Sequence, residues 1–332
     1  MGESLFADNS LIKTTVGQSA IDQIHWGDVQ LNLKTYHWNL KQAGLKLKTK
    51  ELNHPKLIYF IVLILTINIG VLQRDFSLLL SYWGCIMSIL FSGDFHGNAA
   101  KELLLVTKEA LIRKYQQDKY DSIKYHIILG DSGFLWPGNE AREAIYYWAF
   151  SQRDFPVLSV IGNHDPVLGR KDLPEVDIGI GEKVILVNKK KPFIGYLKRG
   201  KIYQIEGHKF LVLGGAYSID KEFQQDNGTW WKNEYWSEKE KRALFNLLKK
   251  DNNFDYVLSH TGPGHVNSLF LPRYGNRSLR DFFDEVTVLN ERVESLITCK
   301  QWFCGHWHRD KYFYDRNLKH AYQYLYVKTA LM

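Results

Sequence analysis

Ser88-Ile89-Leu90-Phe91-Ser92-Gly93-Asp94-Phe95-His96 is a short apolar run that stops at a glycine and then presents an acid and an imidazole two positions apart. The pattern recurs along the chain. Residues 125–129 precede Gly130-Asp131, residues 156–161 precede Gly162-Asn163-His164-Asp165, residues 256–259 lead to Ser259-His260, and residues 301–304 precede Gly305-His306-Trp307-His308. Uncharged runs of this length bounded by turn residues read as strands. Carboxylates, an amide and imidazoles at the ends of five successive strands decide the fold, because parallel strands bring the loops at their C-terminal ends to one edge.

Working outward, residues 98–117 carry apolar positions at helical spacing and residues 140–151 form a second helix, so residues 88–161 read as β-α-β-α-β with a largely parallel sheet. After Asp165 the pieces become short and β-rich at 183–187, 201–205 and 209–213, with Glu206-Gly207-His208 as a tight turn, which predicts a second, mainly antiparallel sheet. Ser237-Glu238-Lys239-Glu240 has the form of a capping box and opens a helix through Leu244, Leu247 and Leu248. A weaker helix at 288–296 and an alternating strand at 322–329 complete the reading; no internal repeat or low-complexity tract is evident.

The composition admits this architecture. The 332 residues are 45% hydrophobic and 14% aromatic, a globular rather than disordered balance, and a formal charge of +7 favours anionic partners without choosing among them. The three cysteines, Cys85, Cys299 and Cys304, form no CxxC and no paired spacing, so neither a disulfide framework nor a zinc-thiolate site is indicated and a cytoplasmic location is the expectation. Residues 1–86 do not share the strand-and-cluster pattern. Within them 57–72 is an uncharged, mostly apolar run, marginally short for the roughly 17 to 25 residues of a spanning helix. Because Met87 stands directly before the first strand, 1–86 is read as an N-terminal extension arising from an over-long start assignment, with a membrane anchor through 57–72 as the alternative, and 87–332 as the enzyme domain.

The clusters supply what a two-metal hydrolytic centre needs, namely a bridging carboxylate with nitrogen and oxygen donors on either side. Asp94 and His96 alternate on an extended segment, and His306 and His308 repeat that geometry. Asp131 is the natural bridge, Asn163 offers an amide oxygen and His260 an imidazole. Glycines 93, 97, 130, 162 and 305 flank these residues, where the backbone must turn sharply and approach bound ions closely.

The ordered set D-x-H, GD, GNHD, strand-end H and GHxH resembles the calcineurin-like metallophosphoesterase superfamily over residues 88 to about 330. Within it, 130–136, 213–220 and 230–234 look like a bacterial and phage branch. The resemblance implies a four-layer α/β/β/α sandwich of two mixed sheets flanked by helices, and makes 87–332 a metallophosphoesterase domain. It places Asp94, His96 and His308 on one divalent metal, Asn163, His260 and His306 on a second, and Asp131 between them. His164 then faces the scissile phosphate, with Asp165 as its orienting partner, and a metal-bridging hydroxide attacks. Mn²⁺ is the expected ion, with Fe and Zn compatible with the same donors. Protein phosphatases of the superfamily carry an arginine after both GD and GNH; here those positions read Ser132-Gly133 and Asp165-Pro166, which lowers a phosphoprotein substrate and raises phosphodiesters or nucleotides within the wider expectation of a phosphodiester, nucleotide or phosphomonoester.

A nuclease on DNA or RNA shares this metal core, and a membrane-tethered lipid-head-group hydrolase follows if 57–72 is a true anchor. A non-catalytic scaffold predicts lost ligands, whereas all seven are present. Among residues outside the clusters, His126 reads as a strand-entry residue, His208 as a turn residue, His320 as a surface residue and His265 as a residue able to line the cleft. Trp230, Trp231, Tyr235 and Trp236 read as core or sheet cover in preference to a base-stacking wall, Tyr217 and Asp220 could approach the site, and the lysine runs 189–191 and 249–250 read as solvated.

Overall fold

The computed structural model describes residues 89–95, 106–136, 140–218, 221–228, 230–231, 234–273, 282–326 and 328–332. The readings of 1–86, Met87, His96, Gly97 and Asp220 lie outside them. Among the described residues no helix is long and apolar enough to cross a membrane.

The chain runs through β1 (Ile89–Ser92), α1 (Lys108–Tyr115), α2 (Gln117–Ser122), β2 (Tyr125–Ile128), α3 (Glu140–Ser151) and β3 (Val157–Ser159). β1, β2 and β3 pair in parallel with β2 in the middle, as the β-α-β-α-β reading requires. The predicted helix at 98–117 is interrupted in its described part: Thr107 caps α1 by accepting from the Ala110 N–H at 3.3 Å, and Gln116, at φ 73°, ends it before α2 begins. A local cap and one left-handed residue override helical spacing there.

Next come β4 (Glu175–Val176), β5 (Val184–Asn188), β6 (Ile194–Tyr196), β7 (Lys201–Ile205), β8 (His208–Val212), α4 (Lys221–Asp226), α5 (Glu238–Lys250) and β9 (Tyr256–Leu258). They are followed by α6 (Gly264–Asn267), a 3₁₀ segment at Ser268–Arg273, α7 (Glu285–Leu296), β10 (Gln301–Cys304), β11 (Lys311–Phe313), β12 (Ala321–Tyr324) and β13 (Ala330–Leu331). One seven-stranded sheet has the order β13-β1-β2-β3-β6-β5-β4, and a six-stranded sheet has the order β11-β12-β10-β9-β8-β7.

Three expectations are corrected here. The strand predicted at 183–187 extends the first sheet, antiparallel to β6, instead of founding the second. The second sheet is antiparallel only at β7-β8 and β11-β12, while β8-β9, β9-β10 and β10-β12 are parallel. The strand predicted at 322–329 ends at Tyr324 as β12 of the second sheet, and the short strand β13 that follows it, at Ala330–Leu331, joins the first sheet. Alternation tells which face a residue occupies but not which strand lies beside it.

Side-chain alternation builds the four layers. Ile89 and Phe91 of β1, with Ile127 of β2, face a core shared with Tyr203, Phe210, Val212, Leu258 and Phe303 of the other sheet, where Phe91 stacks on Phe303 at 4.4 Å. Ile128 points the opposite way, to Tyr146 and Phe150 of α3, and Leu90 to Leu111 of α1. On the far side of the second sheet, Leu211, Val257 and Trp302 meet Leu244 and Leu248 of α5 and Val293 of α7. Strands buried on both faces explain why the founding runs are continuously apolar. The protein is an α/β/β/α sandwich of two mixed sheets.

Candidate metal centre

The parallel strands β1, β2 and β3 in one sheet and β9 and β10 in the other end in the polar clusters, and the described members of those clusters converge. One donor atom from each of Asp94, Asp131 and His260, all buried, lies within 4.8 Å of the others, a grouping able to hold a metal ion. His260 Nε2 is 3.1 Å from Asp131 Oδ2 and 3.0 Å from Asn163 Oδ1, while its Nδ1 lies 2.7 Å from the Leu129 carbonyl oxygen and 3.8 Å from Asp94 Oδ1. His308 Nε2 is 3.2 Å from Asp94 Oδ2. The His306 ring meets the His260 ring at 5.0 Å, and the His306 N–H donates to both oxygens of Asp94 at 3.1 Å. Of the seven predicted ligands, six are therefore brought together, and His96 lies outside the described residues.

Local backbone geometry explains the glycines. A Cβ on Gly162 would stand 2.0 Å from Asp131 Oδ1, and one on Gly130, at φ +92°, would stand 2.2 Å from His260 Nδ1. Asp131, His306 and His308 themselves have φ of 50°, 67° and 48°. Left-handed conformations are uncommon for residues with side chains and concentrate where a site needs a side chain aimed against backbone preference.

Electrostatics separate the imidazoles. Burial works against charge on His260, but Asp131 and Asp94 raise it to about 10. Burial and the charge of His260 push His306 down to about 3. For Asp94, burial alone would raise the carboxyl, yet the charge on His260 and the hydrogen bond from His308 hold it below the ordinary value. Two carboxylates this deeply buried require compensating positive charge. The donor set, carboxylate and amide oxygens with imidazole nitrogens, fits a hard or borderline divalent cation.

His164 sits at the margin. Its N–H donates to Asp131 Oδ1 at 2.9 Å, its Nε2 is 4.0 Å from Asp131 Oδ2, and Trp136 lies against its ring at 5.5 Å. Asp165, predicted to orient His164, has its carboxylate in a different set of contacts. Oδ2 accepts from the N–H groups of Asp131 (2.9 Å) and Gly162 (2.8 Å), and Oδ1 from the Ser132 N–H and hydroxyl (both 3.1 Å) and the Tyr196 hydroxyl (2.9 Å). These contacts lash the β2 and β3 loops together. Burial and the charge of Asp131 raise Asp165 to about 6.

Sequence reasoning missed Tyr196, on the unpredicted strand β6; the stack of Tyr326 on His308 at 4.6 Å; and Gln224, whose Nε2 lies 3.5 Å from His164 Nε2. No spacing rule marks such partners, which reach the site through pairing and loop return. Of the aromatic cluster, Trp236 is buried and donates to the Gly214 carbonyl at 2.7 Å, in keeping with sheet cover. His265 turns to Glu291 and Glu294 of α7, and His320, expected at the surface, is buried with Nδ1 at 3.0 Å from the Cys299 carbonyl oxygen. His126 is likewise buried, between Ser92 Oγ (2.7 Å) and Arg153 (3.1 Å).

A sandwich of two sheets whose parallel strand ends pool buried carboxylates and imidazoles defines a metal-dependent hydrolase. The chain belongs to the calcineurin-like phosphoesterase family, which it matches over residues 87–310, and it is a phosphoester hydrolase. Among solved structures it is similar to the phosphopantetheinyl hydrolase of Mycobacterium tuberculosis, with 13% identity over 72% of this chain and 90% of that one and a TM-score of 0.32. No curated protein matches the chain.

Proposed function

We propose that the chain is a dinuclear metal phosphoesterase acting on a phosphodiester, a nucleotide or another phosphomonoester. The convergence of Asp94, Asp131 and His260 in a buried, mixed oxygen and nitrogen donor set carries the reading. Asp94, His96 and His308 would hold one cation and Asn163, His260 and His306 the other, with Asp131 shared between them. Bound divalent cations supply the charge that lowers the pKa of water and neutralises phosphate oxygens. Manganese suits these donors, as do iron and zinc.

The protein's own groups do the rest. Asp131 is held by the N–H of His164 and so keeps one oxygen fixed while the other faces His260. His164, at the edge of the cluster, is placed to hold a proton at Nε2 for the leaving oxygen or to donate to a phosphate oxygen. Asp165 keeps the Gly130-Asp131 and Gly162-Asn163 loops in register, so that those groups need not reorganise during the reaction. Serine and aspartate after the GD and GNH motifs, in place of arginines, favour substrates other than phosphoproteins.

A substrate panel tests this. With Mn²⁺ the full chain should hydrolyse at least one of bis-p-nitrophenyl phosphate, p-nitrophenyl phosphate and cyclic nucleotides, EDTA should abolish the activity, and Asp131→Asn should lower kcat/KM by at least about 100-fold. Cleavage of DNA alone would turn the reading towards a nuclease. Inertness towards every substrate with Mn²⁺, Fe²⁺ and Zn²⁺ would overturn it.

A further inference from the structure

Ser218 and Glu234, from two parts of the chain with no role in the mechanism so far, meet behind Asn163. The Asn163 Nδ2 donates to Ser218 Oγ at 3.0 Å, and the Ser218 hydroxyl donates to Glu234 Oε2 at 2.5 Å. Ser218 is 1% exposed and Glu234 2% exposed. We propose that Glu234 and Ser218 form a positioning relay that orients the Asn163 amide so that its oxygen, not its nitrogen, faces the metal centre. The proposal rests on the reading of Asn163 as a ligand.

The argument is a proton count. An ionised carboxylate only accepts, so the Ser218 hydroxyl must donate to Glu234 and presents lone pairs to Asn163. A hydroxyl so committed can only receive from the Asn163 NH₂, which leaves Oδ1 on the opposite side, 3.0 Å from His260 Nε2. Without the relay the two amide orientations differ little in shape, and the reversed one would point a donor at the cations. Glu234 is itself held in place. Its carbonyl lies against Gly215, at φ +83°, where a Cβ would be 2.1 Å from that oxygen. Arg199 donates to the Tyr235 carbonyl at 2.9 Å and grips both oxygens of Glu240 on α5 at 2.9 Å, tying the 234–235 backbone to a helix. Partners behind a ligand of this kind are typically worth about 10- to 100-fold in metal affinity.

Calorimetric titration of the metal-stripped full chain with Mn²⁺ alone tests the relay, with melting temperature as the folding control. Ser218→Ala and Glu234→Gln should each weaken one Mn²⁺ affinity by about 10- to 100-fold. In an Asn163→Asp background, where either ligand atom is an oxygen, Ser218→Ala should cost no more than about twofold. An equal cost in both backgrounds would make Ser218 merely structural and overturn the proposal. Native Mn²⁺ affinities in Ser218→Ala, alongside a loss in Asn163→Ala, would overturn the relay and leave the ligand reading standing. Unchanged affinities in Asn163→Ala would remove both. Should Glu234→Gln not fold, the two Ser218→Ala comparisons decide alone.

Discussion

At the scale of the residue, the site is a set of side chains aimed by unusual backbone. Asp131, His306 and His308 adopt left-handed φ values, and the neighbouring glycines leave room that no methyl group could share. Gly162→Ala would press a carbon into Asp131 Oδ1, so it should cost about 1–3 kcal/mol in denaturant unfolding and most of the phosphoesterase activity together. His164→Ala separates roles differently. It should lower kcat by about 10²- to 10⁴-fold while Mn²⁺ binding measured by calorimetry stays native, and a parallel loss of metal would assign His164 to coordination instead. The glycines and the side chains that converge beside them were legible in the sequence because sharp turns after strands require small residues. The contacts of Asp165 were not, since its partners Tyr196, on β6, and Ser132, in the loop after β2, come from separate parts of the chain.

At the scale of the element, signals carried by a few consecutive residues read well. Ser237 and Glu240 form the capping box that their spacing predicts, and β10 and α3 fall at the predicted bounds. α7 begins earlier than predicted because Asp284 caps it, accepting from the Val286 N–H at 2.7 Å and the Thr287 N–H at 3.1 Å while Thr287 reaches back to the Asp284 N–H. Removing that cap with Asp284→Ala should lower unfolding stability by about 0.5–2 kcal/mol and leave phosphoester hydrolysis intact. A loss of activity at full stability would instead tie α7 to the site. Strand partners were the weak point, as the capture of 184–188 by the first sheet shows.

At the scale of the whole molecule, burial of histidines outside the site makes stability depend on pH. Burial, with Arg153 beside it, pushes His126 well below the usual value near 6.5, and burial lowers His320 too. Above about pH 6.5 these imidazoles are neutral whether folded or not; below it the unfolded chain takes up protons that the folded chain refuses, so their contribution falls as pH falls. Asp165, raised to about 6, acts in the opposite direction, and comparison with a variant that keeps it isolates the histidine. The melting temperature of the wild type should drop relative to His126→Gln as pH falls from about 7.5 to 5, and a constant difference would contradict the buried, neutral state.

What the sequence by itself determined was the inventory: five strand-end clusters, in order, with six of the seven proposed metal donors now found in one place and the enzyme chemistry that such donors support. Those signals are local, set by side-chain chemistry and turn geometry within a few residues. Only the tertiary structure decided which strands pair, that the second sheet is largely parallel, that Asp165 ties two loops, and that Ser218 and Glu234 stand behind Asn163. Such relations join residues far apart in the chain, and packing rather than periodicity selects them, because alternation in a strand assigns a face but leaves its neighbour open.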